Sequence, residues 1–308
     1  MSRAKLVVVG SSNIDMVAKS ERMPRGGETV LGSEFVMVPG GKGANQAVCA
    51  AKLGADVKFV ARIGDDVFGE TSLSNFKAAG VDTEFVIKDP STPNGVALII
   101  VDKKGENAIV AVPGANYRLS PEDVDRARKA IADADAVVLQ LEIPAETVAH
   151  TIELAHSLGT RVVLNPAPMR PVSRELLAMV DVIVPNQHEA MGLMDRAGEG
   201  DNINAETAAR ELMALGARCV VITLGSKGAY IADEDTKGFI EPMKVTPVDT
   251  TAAGDTFTAS LACALAEGKD LMGAARFASR AAAISVTRIG AQSSLPTRDE
   301  VDSYNFGN

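Results

Sequence analysis

Thr251, Ala252, Ala253 and Gly254 are all small, and a carboxylate, Asp255, follows them directly. Small side chains let the backbone lie close against a ligand. Phe257, Leu261 and Leu265 then recur every fourth residue, the apolar stripe of a helix, and Gly268 marks its end. The start of such a helix carries unpaired N–H groups and the positive end of a dipole, so this turn is suited to hold an anion. The same residues admit a plainer account, in which Asp255 is only the N-cap of the helix and binds nothing.

Further polar groups stand where apolar runs stop. Asn13 and Asp15 follow Lys5 to Val9, Gln140 and Glu142 close the run from Ala136, Asn165 follows Arg161 to Leu164, and Asn186 and Glu189 follow Val182 to Val184. If these runs are parallel strands, their ends share one edge, where α/β sheets bind ligands. Asn13 and Asp15 suit sugar hydroxyls, or else close an Asx turn. In GGKGAN (Gly40 to Asn45), Lys42 is followed by glycine and Val36 stands where a first glycine is needed, so this is not a Walker A loop. Its glycines can let the backbone meet a ligand, with Lys42 and Asn45 as donors, or can form a flexible turn before a helix. Asn186 and Glu189 have capping-box spacing, and their chemical alternative is to orient waters on a magnesium ion. Thr223 to Gly228 reads as a nucleotide-contacting turn or as a hairpin. His150 and His156 fall in an expected helix and His188 in a polar loop; none has metal-ligand or triad spacing.

These groups need a frame. Valine- and isoleucine-rich strands are expected at Lys5 to Val9, Val57 to Ala61, Ala136 to Leu141, Arg161 to Leu164, Val182 to Val184 and Cys219 to Thr223, with helices between them. That rhythm predicts an α/β fold, a mainly parallel sheet covered on both faces. Met16 to Val38 is broken by Pro24, Gly26, Gly27 and Gly32, and Val96 to Val101 and Ala108 to Val112 flank a turn at Asp102 to Glu106; both read as short β-structure over the site. Ser120, Pro121 and Asp123 mark one helix start, Thr297 and Glu300 another, and Arg196 to Asn202 a surface loop.

The 46% hydrophobic and 23% charged composition of the 308 residues excludes a disordered chain, and the net charge of −9 excludes a broad electrostatic grip on nucleic acid. Cys49, Cys219 and Cys263 lack metal spacing and read as buried thiols. No apolar stretch approaches the ~20 residues of a membrane helix, so a cytoplasmic location is expected.

VPGGKGANQA (Val38 to Ala47), NPAP (Asn165 to Pro168), the Asn186–Glu189 pair, TLGSKG (Thr223 to Gly228), VDTTAAGDTF (Val248 to Phe257) and GAQSSLP (Gly290 to Pro296) occur in this order. With them the chain resembles, almost end to end, the ribokinase-like (PfkB) carbohydrate kinase family. The resemblance implies a single domain over residues 1–308, a three-layer α/β/α core with a small β-sheet lid formed by insertions at about 16–40 and 94–113. It implies phosphorylation of D-ribose at its 5-hydroxyl by ATP, with Asp255 as general base and Ala252, Ala253, Gly254 and Asp255 forming an anion hole. By the same resemblance Asn13, Asp15, Gly41, Lys42, Asn45 and Glu142 would hold the sugar, and Asn186, Thr223, Gly225, Ser226, Lys227, Gly228, Gly254 and Ser279 would contact ATP. Glu189 would act on magnesium through water, and Asp249, Thr251, Ser285, Arg288, Gly290 and Ser294 would surround potassium. The alternatives are the same chemistry on deoxyribose, fructose or a nucleoside such as adenosine, or a sugar-responsive regulator without catalysis. An exposed lid sheet needs cover, which predicts a homodimer through the lid.

Overall fold

The computed structural model describes residues 3–196 and 203–305. The chain runs β1 (Lys5–Val9), β2 (Asn13–Ser20), β3 (Gly32–Gly40), α1 (Lys42–Lys52), β4 (Asp56–Gly64), α2 (Val67–Ala78), β5 (Val86–Asp89), β6 (Gly95–Asp102) and β7 (Asn107–Val112). It continues through α3 (Pro121–Arg126), α4 (Arg128–Ala132), β8 (Ala136–Leu139), α5 (Ala145–Ser157), β9 (Arg161–Leu164), α6 (Arg174–Leu177), β10 (Val182–Ile183), α7 (Gln187–Leu193) and α8 (Ala205–Ala214). The last elements are β11 (Val220–Thr223), β12 (Ala229–Ala232), β13 (Lys237–Ile240), α9 (Ala253–Ala266), α10 (Leu271–Ser285) and α11 (Arg298–Ser303).

Nine strands form one sheet in the order β13-β12-β11-β10-β9-β8-β1-β4-β5. From β11 to β5 all neighbours are parallel, and β12 and β13 add an antiparallel edge. The side-chain period of two divides the core between the faces. Leu6 and Val8 pack with α1, α9 and α10, whereas Val7 and Val9 pack with α3, α4, α5 and α8. Burial on both faces is why the strands read as continuous apolar runs. On the first face α1 lies against α9, and the small buried residues Ala44, Ala47, Ala259 and Ala262 line the contact layer.

β3-β2-β6-β7 make a separate four-stranded sheet. It draws on both segments expected to supply short β-structure, but β2 starts at Asn13, before Met16, and the central β2–β6 pair is parallel. Phe35, Met37, Ile109 and Val110 are each more than half exposed on it. Ser120–Asp123 and Thr297–Glu300 both form capping boxes, and β8 stops at Leu139, leaving Gln140 beyond the strand. The expected loop at Arg196 to Asn202 lies, past Arg196, outside the described residues. No helix among the described residues is long and apolar enough to cross a membrane.

Candidate active site

Two helices begin at the carboxyl edge of the large sheet. α1 starts after Gly41, whose φ of 88° belongs to the left-handed region; a Cβ there would lie 2.7 Å from the Asn13 nitrogen. The N-cap residue, Gly41, has no side chain to cap α1. Its first N–H groups go to the edge: Lys42 N donates to Glu142 Oε2 at 3.1 Å, Gly43 N to Ser11 Oγ at 3.4 Å, and Ala44 N to the Ser11 carbonyl at 2.8 Å. A Cβ on Gly43 would meet the Ser11 nitrogen at 2.5 Å, so this approach requires glycine. GGKGAN is therefore a tight junction between strand end and helix and not a flexible turn.

α9 starts after Ala252, which takes the left-handed conformation, φ 59°, without a side-chain cap. Such a conformation costs a residue with a Cβ of order 1–3 kcal/mol, and the surrounding fold must hold it. The plain N-cap account of Asp255 fails, because Asp255 lies inside the first turn. Its buried carboxylate accepts from Asn45 Nδ2 and Gln46 Nε2, each at 2.9 Å, so α1 holds the acid presented by α9.

A cavity of about 220 Å³ opens at this junction, lined by Lys42, Asn165, Asn186, Glu189, Thr223, Ala252, Ala253, Gly254, Asp255 and Thr258 among others. The ammonium of Lys42 has its pKa raised by the charge of Asp255 above all, with Glu142, Glu189 and Asp15 adding to it against burial. Burial, then the charges of Glu142 and Asp255, push Asp15 up to about 6 despite Lys42. Burial also raises Glu189. One cation thus stands among four carboxylates.

Of the sugar candidates Lys42 lines this cavity, while Asn45 bonds Asp255 and Glu142 accepts from Lys42 N beside it; Asn13, Asp15 and Gly41 are not among the lining residues. Asp15 lies against Gly40, where a Cβ would meet its carboxylate, and Glu142 accepts from Ser11 Oγ at 2.5 Å. Asn13 and Asp15 belong to strand β2, so the Asx-turn account is not realised. Asn13 Oδ1 accepts from Asn116 Nδ2 at 2.7 Å. Asn116, Gln46 and Thr258 were not singled out from the sequence; the detectable signal was Gln46, an amide beside Asn45 in an alanine-rich helix.

The other candidates divide. Asn186 and Glu189 do form the capping box of α7, Asn186 Oδ1 accepting from Glu189 N and Glu189 Oε2 from Asn186 N, each at 2.8 Å, yet both also line the cavity. His188 lies in that helix and not in a loop. Thr223 lines the cavity, while Gly225, Ser226 and Lys227 form an exposed 3₁₀ turn ending at Gly228, within the β11–β12 hairpin. Ser279 is buried in α10. Asp249 joins two loops: its Oδ1 accepts from Thr251 N and Oγ1, and its Oδ2 from Gly290 N at 2.9 Å. Ser285 Oγ and Ser294 Oγ instead donate to the Ala282 and Ala291 carbonyls, and Arg288 pairs with Glu300. No group of three or more His, Cys, Asp or Glu side chains suited to a metal occurs among the described residues. The three cysteines are buried and free, as expected.

The chain matches the model of the pfkB family carbohydrate kinases over residues 3–298. It is 43% identical over 297 residues to the ribokinase of Bacillus subtilis (strain 168), covering 96% of this chain and 98% of that one. It is 38% identical to the deoxyribokinase of Salmonella typhi, covering 97% and 98%. The Arabidopsis thaliana ribokinase complexed with ribose and ATP superposes with a TM-score of 0.89 at 34% identity, covering 97% of this chain and 98% of that one. On the whole-length match and the geometry together, the chain belongs to the pfkB family of carbohydrate kinases.

Proposed function

We propose that this chain transfers the terminal phosphoryl group of ATP to the 5-hydroxyl of D-ribose, giving D-ribose 5-phosphate and ADP. The observation that carries the reading is the buried Asp255 carboxylate at the uncapped start of α9, in a cavity shared with Lys42. Phosphoryl transfer needs in-line positioning and stabilisation of charge on the equatorial oxygens more than covalent help. The N–H groups of Ala252, Gly254 and Asp255 serve as the anion hole together with that of Ala253, which in this structure donates to the Thr250 carbonyl at 3.2 Å. Asp255 accepts the proton of the attacking hydroxyl. Asn13, Asp15, Gly41, Lys42, Asn45 and Glu142 hold the sugar. Asn186, Thr223, the Gly225 to Gly228 turn, Gly254 and Ser279 contact the nucleotide. Full-length likeness to ribokinases supports ribose, and likeness to a deoxyribokinase makes 2-deoxyribose the leading rival.

Both ions belong to this reading. Magnesium keeps several waters and takes few protein ligands, which suits the single Glu189 carboxylate on the cavity wall. Bound with ATP, it would supply charge neutralisation on the phosphates. Potassium would be held by hard oxygens at Asp249, Thr251, Ser285, Arg288, Gly290 and Ser294; the Asp249 link between the two loops supports that grouping, and Arg288 would contribute its carbonyl. Residues 1–308 act as one domain in this reading, with the four-stranded sheet as lid and the reaction in the cytoplasm. The exposed Phe35, Met37, Ile109 and Val110 support a homodimer through that sheet, and light scattering that finds a monomer at assay concentration would refute it.

The test is ADP release with D-ribose, 2-deoxy-D-ribose, D-fructose and adenosine, with and without potassium. Ribose should give the highest kcat/KM. Faster turnover of another acceptor would replace the substrate, and no ADP release with any of them, despite sugar binding, would make the chain a regulator. Asp255→Asn should bind both ligands and lose ~10²–10⁴ in kcat.

A further inference from the structure

Gln46 and Gln140 are both fully buried, Gln46 beside Asp255 and Gln140 beside Gln46, and neither is needed to bind sugar or nucleotide in the reading above. Three hydrogen bonds fix the Gln46 amide, whereas Gln140 contributes one and its buried Oε1 has no hydrogen-bond partner among the described residues. Gln46 Nε2 donates to Asp255 Oδ1 at 2.9 Å and to Asn165 Oδ1 at 3.2 Å. Asn165 must present its oxygen to Gln46, because its Nδ2 is committed to the Val184 carbonyl at 2.9 Å. Gln46 must present its nitrogen to Asp255, because its Oε1 accepts from Gln140 Nε2 at 2.6 Å. Gln140 is wedged in turn against Gly10, where even a Cβ would fall 2.1 Å from its Oε1. The ends of β1, β8, β9 and β10 therefore converge on a single amide, and that amide faces the carboxylate.

We infer that Gln46 and Gln140 form a positioning relay that holds the Asp255 carboxylate in its reactive orientation through the Gln46 amide. The inference rests on Asp255 being the general base. An aspartate side chain can turn about its terminal bond, and a base displaced by about 1 Å can lose on the order of 10²-fold in rate. Asn45 anchors one carboxylate oxygen and Gln46 the other. With the second anchor removed, the carboxylate pivots about Asn45. The same relay ties the base to the carboxyl edge of the sheet, so the acid delivered by α9 is set by the strands and not by its own helix alone.

The experiment compares Gln46→Met, Gln140→Met and the double variant with wild type in steady-state ADP release, beside thermal unfolding and calorimetric ribose binding. Q46M keeps side-chain length and loses the donor; its kcat should fall about 10- to 100-fold with KM for ribose and ATP within about threefold. Q140M leaves Gln46 present but held only through Asp255 and Asn165, and should lose about 3- to 10-fold in kcat. Because both act through one bond, the double variant should be no more than about twofold worse than Q46M. Unchanged kcat in both single variants, an effect confined to KM, or multiplicative losses in the double variant would overturn the relay. If Q46M does not fold, Q140M decides by the same kcat and KM criteria. Asp255→Asn at wild-type kcat would refute the base itself; an inactive Asp255→Asn beside fully active Q46M and Q140M would refute only the relay.

Discussion

Asp15→Asn should stabilise the protein while weakening its hold on sugar. The Asp15 acid sits at about 6 in the fold against an ordinary 3.8, through burial first and then the charges of Glu142 and Asp255. A carboxylate raised in the folded state binds its proton more tightly there than in the unfolded chain, so folding opposes its ionisation. That penalty is absent below the ordinary value, grows as pH rises between the two, and is complete above about 6. The shift is about two units at about 1.4 kcal/mol each, giving about 3 kcal/mol at pH 8 and about 1 kcal/mol at pH 4.5. Asparagine keeps the shape and removes the charge. With an unfolding entropy of roughly 2.1 cal/mol/K per residue, the larger gain raises the midpoint by about 4 °C. The assay is thermal or urea unfolding of both proteins at the two pH values, with ribose KM measured in parallel. A variant no more stable than wild type at pH 8, or one with the same gain at both pH values, would refute the reasoning.

Two further outcomes follow from the same geometry. Wild-type kcat/KM for ribose should fall as pH drops through about 6, where the free enzyme's Asp15 takes up its proton, and Asp15→Asn should flatten that limb; a profile level down to pH 5 contradicts it. At Ala252, held at φ 59°, glycine should keep stability and turnover, whereas Ala252→Val should lose about 1–3 kcal/mol in urea unfolding; equal stability of the two variants would mean that the turn relaxes freely.

The large sheet was legible because its strands are buried on both faces, which removes the polar alternation and leaves runs such as Lys5–Val9 and Arg161–Leu164. The small sheet was legible as β-structure but not in its pairing. Residue 13 belongs to it because β2 leaves the end of β1 after only Gly10 to Ser12, and the parallel partnership of β2 with β6 joins segments some eighty residues apart, which no local turn signal records. A structural role for a segment need not remove it from the cavity. Asn186 and Glu189 satisfy the start of α7 and still face the cavity, because a short helix beginning at a strand end places its cap at the ligand edge. The role of Gln46 is not legible for the opposite reason: its place beside Asn45 marks it as unusual, but nothing local says that α9 and the strand ends pack over it.

What the crowding at this edge accomplishes can be argued from the groups themselves. Asp15, Glu142, Glu189 and Asp255 all raise the pKa of one ammonium, Lys42, and the Asp15 acid is raised by burial first and then by Glu142 and Asp255, against that cation. Ionised carboxylates only accept hydrogen bonds, so such a cluster is best relieved by a ligand rich in hydroxyl donors. A few residues away, the start of α9 offers donors and a positive dipole end, which suit an anion with many acceptors. Asp255 belongs to both regions, as a member of the carboxylate cluster and as the third residue of α9. A polyhydroxyl acceptor and a phosphate donor therefore have their preferred surroundings on one shared residue, and the bond to be formed lies between them. The amides of Asn45 and Gln46 each hold one oxygen of that carboxylate in place.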